Sequence, residues 1–98
     1  MAKTKDEIFN ELVDALLEEF QIIRISLRGA MYTKHKPQLW NNLFRCAETL
    51  RELLLAMPER TGIEDWMDII EEKAPKKFIK VAKNIVKSTG KVVKTGSR

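Results

Sequence analysis

Lysines dominate the carboxyl-terminal quarter of the chain, and their spacing is the chemically most informative feature of the sequence. From Lys73 to Arg98 there are nine lysine and arginine residues and no aspartate or glutamate. Ammonium groups that recur every three or four residues share one face of a helix, where they can neutralise a row of phosphates. The residues predicted to bind nucleic acid or another polyanion are Lys73, Lys76, Lys77, Lys80, Lys83, Lys87, Lys91 and Lys94.

The charge of the chain is divided unevenly along its length. Residues 1–72 carry nine basic and fourteen acidic side chains, a net −5, whereas residues 73–98 carry nine basic and none acidic, a net +9, which together give the +4 of the whole chain. Like charges four residues apart, such as Lys76 and Lys80, repel each other by a few tenths of a kcal/mol. A helix that keeps this repulsion is expected to meet an anionic partner.

Three classes of partner fit these lysines. The favoured interpretation is an accessory or regulatory factor that docks on nucleic acid or a nucleoprotein assembly, with weak sequence specificity because the segment has almost no arginine and only Phe78 as an aromatic. The alternative is a protein–protein interaction module, an adaptor or inhibitor whose lysines face an acidic partner. A membrane surface ranks third, since the segment is basic and amphipathic but has no interfacial tryptophan.

Two smaller charged groups accompany the lysines. The first is a basic and aromatic patch that follows the first predicted helix, and the second is an acidic stripe at helical spacing within that helix. The preference of acidic residues for first helical turns explains Glu7 but not the residues beyond it. The patch consists of Arg28, Tyr32, Lys34, His35 and Lys36, and the stripe of Glu7, Glu11, Asp14 and Glu18.

Catalytic and metal-binding patterns do not emerge from the sequence. His35 is the single histidine and Cys46 the single cysteine, so we expect no zinc site, no intrachain disulfide and no cysteine–histidine pair. We therefore expect no enzyme, cofactor or small-molecule substrate. A lone thiol, an amino terminus without an apolar signal core and a longest apolar run of only Leu53 to Met57 favour a cytoplasmic protein.

Capping motifs and prolines divide the chain into four predicted helices. Thr4 and Glu7 form a capping box at the first helix, and Thr61 and Glu64 suggest a second one at the third helix. Gly29 is a candidate carboxyl-terminal cap. The predicted helices span residues 5–28, 37–57, 62–73 and 75–88 of a single domain, and residues 89–98 are predicted to form a flexible basic tail.

Helical periodicity predicts an all-α fold, a small four-helix bundle in which three core helices carry a basic amphipathic fourth helix. Trp40 and Trp66 are predicted core anchors, with an interface hot spot as the alternative, and Cys46 is predicted to be a small core residue. The wide apolar arc of the first helix favours a homodimer through that helix. The predicted buried stripe of the second helix is Leu39, Trp40, Leu43, Phe44, Ala47, Leu50, Leu54 and Met57, and that of the fourth is Phe78, Ile79, Val81, Ala82, Ile85 and Val86.

Overall fold

The computed structural model describes residues 3–29 and 36–89, apart from the side chains of Ser88 and Thr89. These residues form four helices, α1 (Lys5–Gly29), α2 (Lys36–Leu55), α3 (Ile63–Lys73) and α4 (Lys76–Thr89), and contain no strand. The predicted all-α helical bundle is confirmed, and each helix boundary lies within two residues of its prediction. The proposed tail lies outside the described residues except for Thr89, which is the last residue of α4.

The start of α1 is a capping box, as its sequence predicts. The Thr4 amide donates to Glu7 Oε1 at 2.9 Å, and the Glu7 amide donates to Thr4 Oγ1 at 3.1 Å. The end of α1 differs from the prediction, because Gly29 is the last helical residue and its φ is not positive. A glycine cap in the left-handed region is therefore not formed there.

The connection from α2 to α3 corrects the second predicted capping box. Met57, two residues after the end of α2, takes a left-handed φ of 56° directly before Pro58. Because α3 begins at Ile63, the residue that reaches back is Asp65 and not Glu64: the Gly62 amide donates to Asp65 Oδ2 at 2.9 Å. The Thr61 hydroxyl has another role, since it donates to the Met57 carbonyl at 3.3 Å and accepts from Trp66 Nε1 at 2.8 Å.

The core lies where all four helices meet. The Phe9 ring packs edge-on against Trp66 with centroids 5.0 Å apart, and Trp66, Phe78 and Ala82 are fully buried. The contribution of α2 includes Cys46, as predicted, and Thr49, whose hydroxyl donates to the Arg45 carbonyl at 2.6 Å. The remaining buried apolar residues are Ile8, Leu12, Leu16, Ile23, Leu53, Ile70 and Ala74.

The α3–α4 pair covers only part of the longer α1–α2 pair. At 1.5 Å per residue, α1 extends about 37 Å and α3 about 16 Å. At one end Lys5 Nζ donates to the Thr61 carbonyl at 2.6 Å, and at the other end Pro75 lies beside Glu19 and Asn42. The last ten residues of α1 and the first residues of α2 therefore extend beyond α3 and α4, in a molecule of 48 × 23 × 20 Å.

The buried face of α2 agrees with the prediction only in part. Trp40, Phe44 and Leu54 are 44%, 64% and 56% exposed, and Ala47 and Met57 are exposed as well. Leu39, Leu43 and Leu50 are half-buried and pack against the core, next to the fully buried Cys46 and Leu53. The helix has two apolar sides, and the one with the compact Cys46 and Thr49 lies against its neighbours. Trp66 is thus a core anchor and Trp40 is not.

Candidate polyanion-binding face

The orientation of α4 is set by two buried anchors. Phe78 and Ala82 are four residues apart and both fully buried, so they hold one side of α4 against the bundle. At about 100° per residue the opposite side carries Lys76, Lys80, Lys83 and Lys87, which we call the lysine face. All four of these lysines are exposed. One residue of the predicted apolar side is misplaced: Val81 is 37% exposed and lies at the border of the two faces.

The lysine face has little internal charge compensation. Its one ion pair among the described residues joins Lys83 Nζ to Glu71 Oε2 at 3.9 Å, with both side chains more than half exposed. A long, exposed pair of this kind contributes little to stability and does not hold the lysine in place. The four ammonium groups span about 16 Å of helix, a distance along which duplex DNA carries roughly nine phosphates. The face is thus an array of cations that a phosphate backbone can reach.

Lys73 and Lys77 lie beside the lysine face and not on it. Lys73 is half-buried at the last turn of α3, where its positive charge interacts favourably with the negative end of the helix dipole. Lys77 is exposed in the first turn of α4 and lines a cavity next to that helix. The other predicted members, Lys91 and Lys94, lie outside the described residues.

A cavity of about 420 Å³ lies between the start of α4 and the α1–α2 pair. Its wall includes the cations Arg45, Lys76 and Lys77 together with the carboxylate of Glu19, which is 9% exposed. The buried carboxylate offsets part of the positive charge at this end of α4. Gln38, Asn42 and Pro75 complete the lining.

The Cys46 thiol has low reactivity in this environment. Cys46 is 1% exposed, and burial, together with the nearby Glu19 charge, raises its pKa from the ordinary 9.0 to about 11. The thiol is therefore protonated at neutral pH, and a thiol is a poor nucleophile compared with its thiolate. Its place in the core is structural.

The second basic patch is only partly described, and its described members lie apart from the lysine face. Arg28 and Lys36 line an open groove of about 560 Å³ between α1 and α2, with Trp40 among the apolar residues beside them. The start of α4 lines the other cavity, which holds neither of these two cations. Tyr32, Lys34 and His35 lie outside the described residues. The remaining groove residues are Phe20, Arg24, Leu27 and Leu43.

The acidic stripe on α1 is exposed, with Glu11 half-buried, but two of its four members have local partners. Glu7 serves the amino-terminal cap, and Glu11 accepts a hydrogen bond from Lys3 in an ion pair. Asp14 and Glu18 are exposed, and neither has an ion pair within residues 3–29 and 36–89. Two free carboxylates one turn apart remain as the available part of the stripe.

The outer face of α2 is predicted as buried by the sequence, with an interface role only as the alternative for Trp40. Trp40, Phe44 and Leu54 line an exposed apolar stripe, and the Trp40 and Phe44 rings lie 5.9 Å apart. The helical spacing of these residues is visible in the sequence, but the pattern predicts that they are buried. Exposed apolar side chains that adjoin one another in this way are a feature of interaction surfaces.

No group of three or more histidine, cysteine, aspartate or glutamate side chains within residues 3–29 and 36–89 is placed to hold a metal ion. None of the helices in that part of the chain is both long enough and apolar enough to span a bilayer. Comparisons with protein-family models, curated proteins and solved structures find no match for this chain.

Proposed function

We propose that this chain is a non-catalytic binding protein, an accessory or regulatory factor that docks on nucleic acid or a nucleoprotein assembly with weak sequence specificity. The observation that carries the proposal is the lysine face: four exposed lysines on one side of a helix whose other side is buried at Phe78 and Ala82. Among the described residues a single carboxylate, Glu71, comes within 4 Å of it.

The anchoring of α4 supports phosphate binding in particular. Because the helix backbone is held by the core, the lysines project from a rigid scaffold, and less backbone ordering is needed on binding. Ammonium groups are compact point charges without the planar fork that lets arginine read guanine, so they contact phosphates more readily than they discriminate bases. Four such contacts would give a slope of log affinity against log salt of about −3.6 on duplex DNA.

The same anchoring argues against docking on a membrane surface. An interfacial helix inserts its apolar side into the lipid boundary. In α4 that side is occupied by protein, since Phe78 and Ala82 are fully buried. Binding to a bilayer would require the helix to leave the core.

A salt series tests the proposal with a matched control. Fluorescence anisotropy of a labelled random duplex would be measured for the full chain, for Lys80→Gln with Lys83→Gln, and for Arg24→Gln with Lys36→Gln. Both doubles remove two positive charges, but the second pair lies on the separate groove. Point substitutions are preferable to deletion of α4, because deletion would remove Phe78 from the core.

We expect the lysine-face double to reduce the magnitude of the salt slope by about 1.8 and the groove double to leave it nearly unchanged. Equal effects of the two doubles would show that binding follows net charge and not the lysine face. Failure of the unmodified chain to bind at low salt would overturn the proposal outright.

A protein–protein interaction module is the second candidate, and the exposed aromatic stripe of α2 favours it. An adaptor or inhibitor would use this apolar surface and present its lysines to an acidic partner. Binding would then persist at moderate salt and be lost on Phe44→Ala, whereas nucleic-acid binding should be insensitive to that change. A pull-down at two salt concentrations, with and without Phe44→Ala, separates the two functions.

A further inference from the structure

The exposed face of α2 has the spacing of a coiled-coil seam. Trp40, Phe44, Ala47, Arg51 and Leu54 are separated alternately by four and three residues, which is the a/d repeat of a heptad. All five are exposed, with Phe44 at 64% and Leu54 at 56%. We call these five residues the seam. The core-facing residues of α2, such as Cys46 and Leu53, occupy other heptad positions, so the seam is not needed for the bundle.

We propose that the seam binds a second copy of this chain, with the two α2 helices packed antiparallel. An antiparallel pair places each a position opposite a d position of the partner. With Phe44 opposite the partner's Ala47, a large residue meets a small one at both central layers. The same register places Arg51 opposite the partner's Trp40 and Leu54 opposite the partner's Pro37.

The charge on the seam selects this orientation. Arg51 is the one cation in an otherwise apolar row, and its Nη1 lies 3.6 Å from Glu52 Oε2 with the side chain 69% exposed. In an antiparallel pair the two Arg51 residues lie about 16 Å apart along the axis, beyond the Debye length of about 8 Å at physiological salt. Each guanidinium can then rest on the partner's indole ring in a cation–π contact. A parallel pair would set the two guanidinium groups side by side.

Residues that flank the seam fit the same partner. On one side, the apolar part of the groove beside Trp40, lined by Phe20, Leu27 and Leu43, extends the contact area next to the partner's Leu54. Leu55, which is 62% exposed, adds apolar surface at the opposite end of α2 from Trp40. On the other side, Asn41 and Glu48 are exposed and give the border of the contact polar side chains.

This dimer would leave the lysine face open. The start of α4 lies beside Gln38, Asn42 and Arg45, which occupy a different side of α2 from the seam. A second copy on the seam therefore meets α2 and the adjoining part of α1, and α4 stays exposed in both copies. The inference also moves self-association away from the wide apolar arc of α1, where the sequence favours it, to α2.

Sedimentation equilibrium at tens of micromolar tests for the second copy. We expect twice the 11.4 kDa chain mass for the unmodified protein and for Val81→Glu, whose site is an exposed apolar residue on α4. Phe44→Glu should give the monomer mass, with helicity checked by circular dichroism. A monomeric unmodified protein, or a Phe44→Glu dimer, would overturn the proposal.

Engineered cysteines test the orientation. A chain with both Pro37→Cys and Leu54→Cys should form a covalent dimer on mild oxidation, because residues 37 and 54 of opposite copies are adjacent in the antiparallel register, and both changes leave Trp40 and Arg51 in place. Each single variant should remain uncrosslinked, since identical positions lie about 26 Å apart. Cys46 is buried and does not interfere. Crosslinking by either single variant would show a parallel pair and refute the orientation.

Discussion

Phe78→Ala and Val81→Ala form the sharpest test of how α4 is held. Both residues belong to the apolar side that helical periodicity assigns to α4, yet Phe78 is fully buried and Val81 is 37% exposed. Truncation of a fully buried phenylalanine removes its transfer free energy and leaves a cavity, which costs about 3–5 kcal/mol. Truncation of an exposed valine should stay within about 0.5 kcal/mol.

Urea unfolding followed by circular dichroism measures both variants. With an m-value of about 1.5 kcal/mol/M, the loss at Phe78 corresponds to a midpoint lowered by roughly 2 M or more, a large share of the total stability of a small domain. The Val81 variant should unfold almost with the unmodified chain. Similar midpoint shifts for both variants, or a loss below about 1 kcal/mol at Phe78, would refute the orientation of α4 from which the lysine face is derived.

Three further predictions concern single sites. The pKa of Cys46 is raised in the folded chain from 9.0 to about 11, so the folded chain keeps the thiol proton at a pH where the unfolded chain loses it. The free energy of unfolding should therefore fall by about 2–3 kcal/mol between pH 9 and pH 11. Cys46→Ala should not show this part of the loss in the same pH series. Met57 has a φ of 56°, so Met57→Gly should raise the free energy of unfolding by up to about 1 kcal/mol, and a lowered thermal midpoint would contradict this. Thr61→Val leaves Trp66 Nε1 without its 2.8 Å acceptor and should cost about 1–2 kcal/mol in chemical denaturation; an unchanged midpoint would mean that water replaces the hydroxyl.

Most helix boundaries can be predicted from short-range sequence patterns. The Thr4 and Glu7 pair and the prolines at 37, 58 and 75 mark element boundaries because each acts through neighbouring backbone groups. The second capping box is displaced by one residue: the Gly62 amide donates to Asp65, and the Thr61 hydroxyl accepts from Trp66 Nε1 instead of capping the helix. The contact between Thr61 and the buried Trp66 is not visible in a local capping pattern.

The burial of α2 could not be predicted in the same way. Its sequence offers one side with Trp40 and Phe44 and another with Cys46 and Leu53, and a hydrophobicity pattern favours the bulkier side. Which side enters the core depends on the shape of the facing helices, which no window of local sequence contains. The lysines of α4 were easier to place, because the exposure of a charged row follows directly from the cost of burying it.

Backbone amide chemical-shift mapping with a short duplex is the most direct test of the central claim. At low salt, we expect perturbations concentrated on α4 around Lys76, Lys80, Lys83 and Lys87, and disappearing as salt is raised. The seam residues of α2 should shift little. Perturbations centred on Trp40 and Phe44, or no perturbation at any salt concentration, would contradict the claim that the lysine face binds nucleic acid.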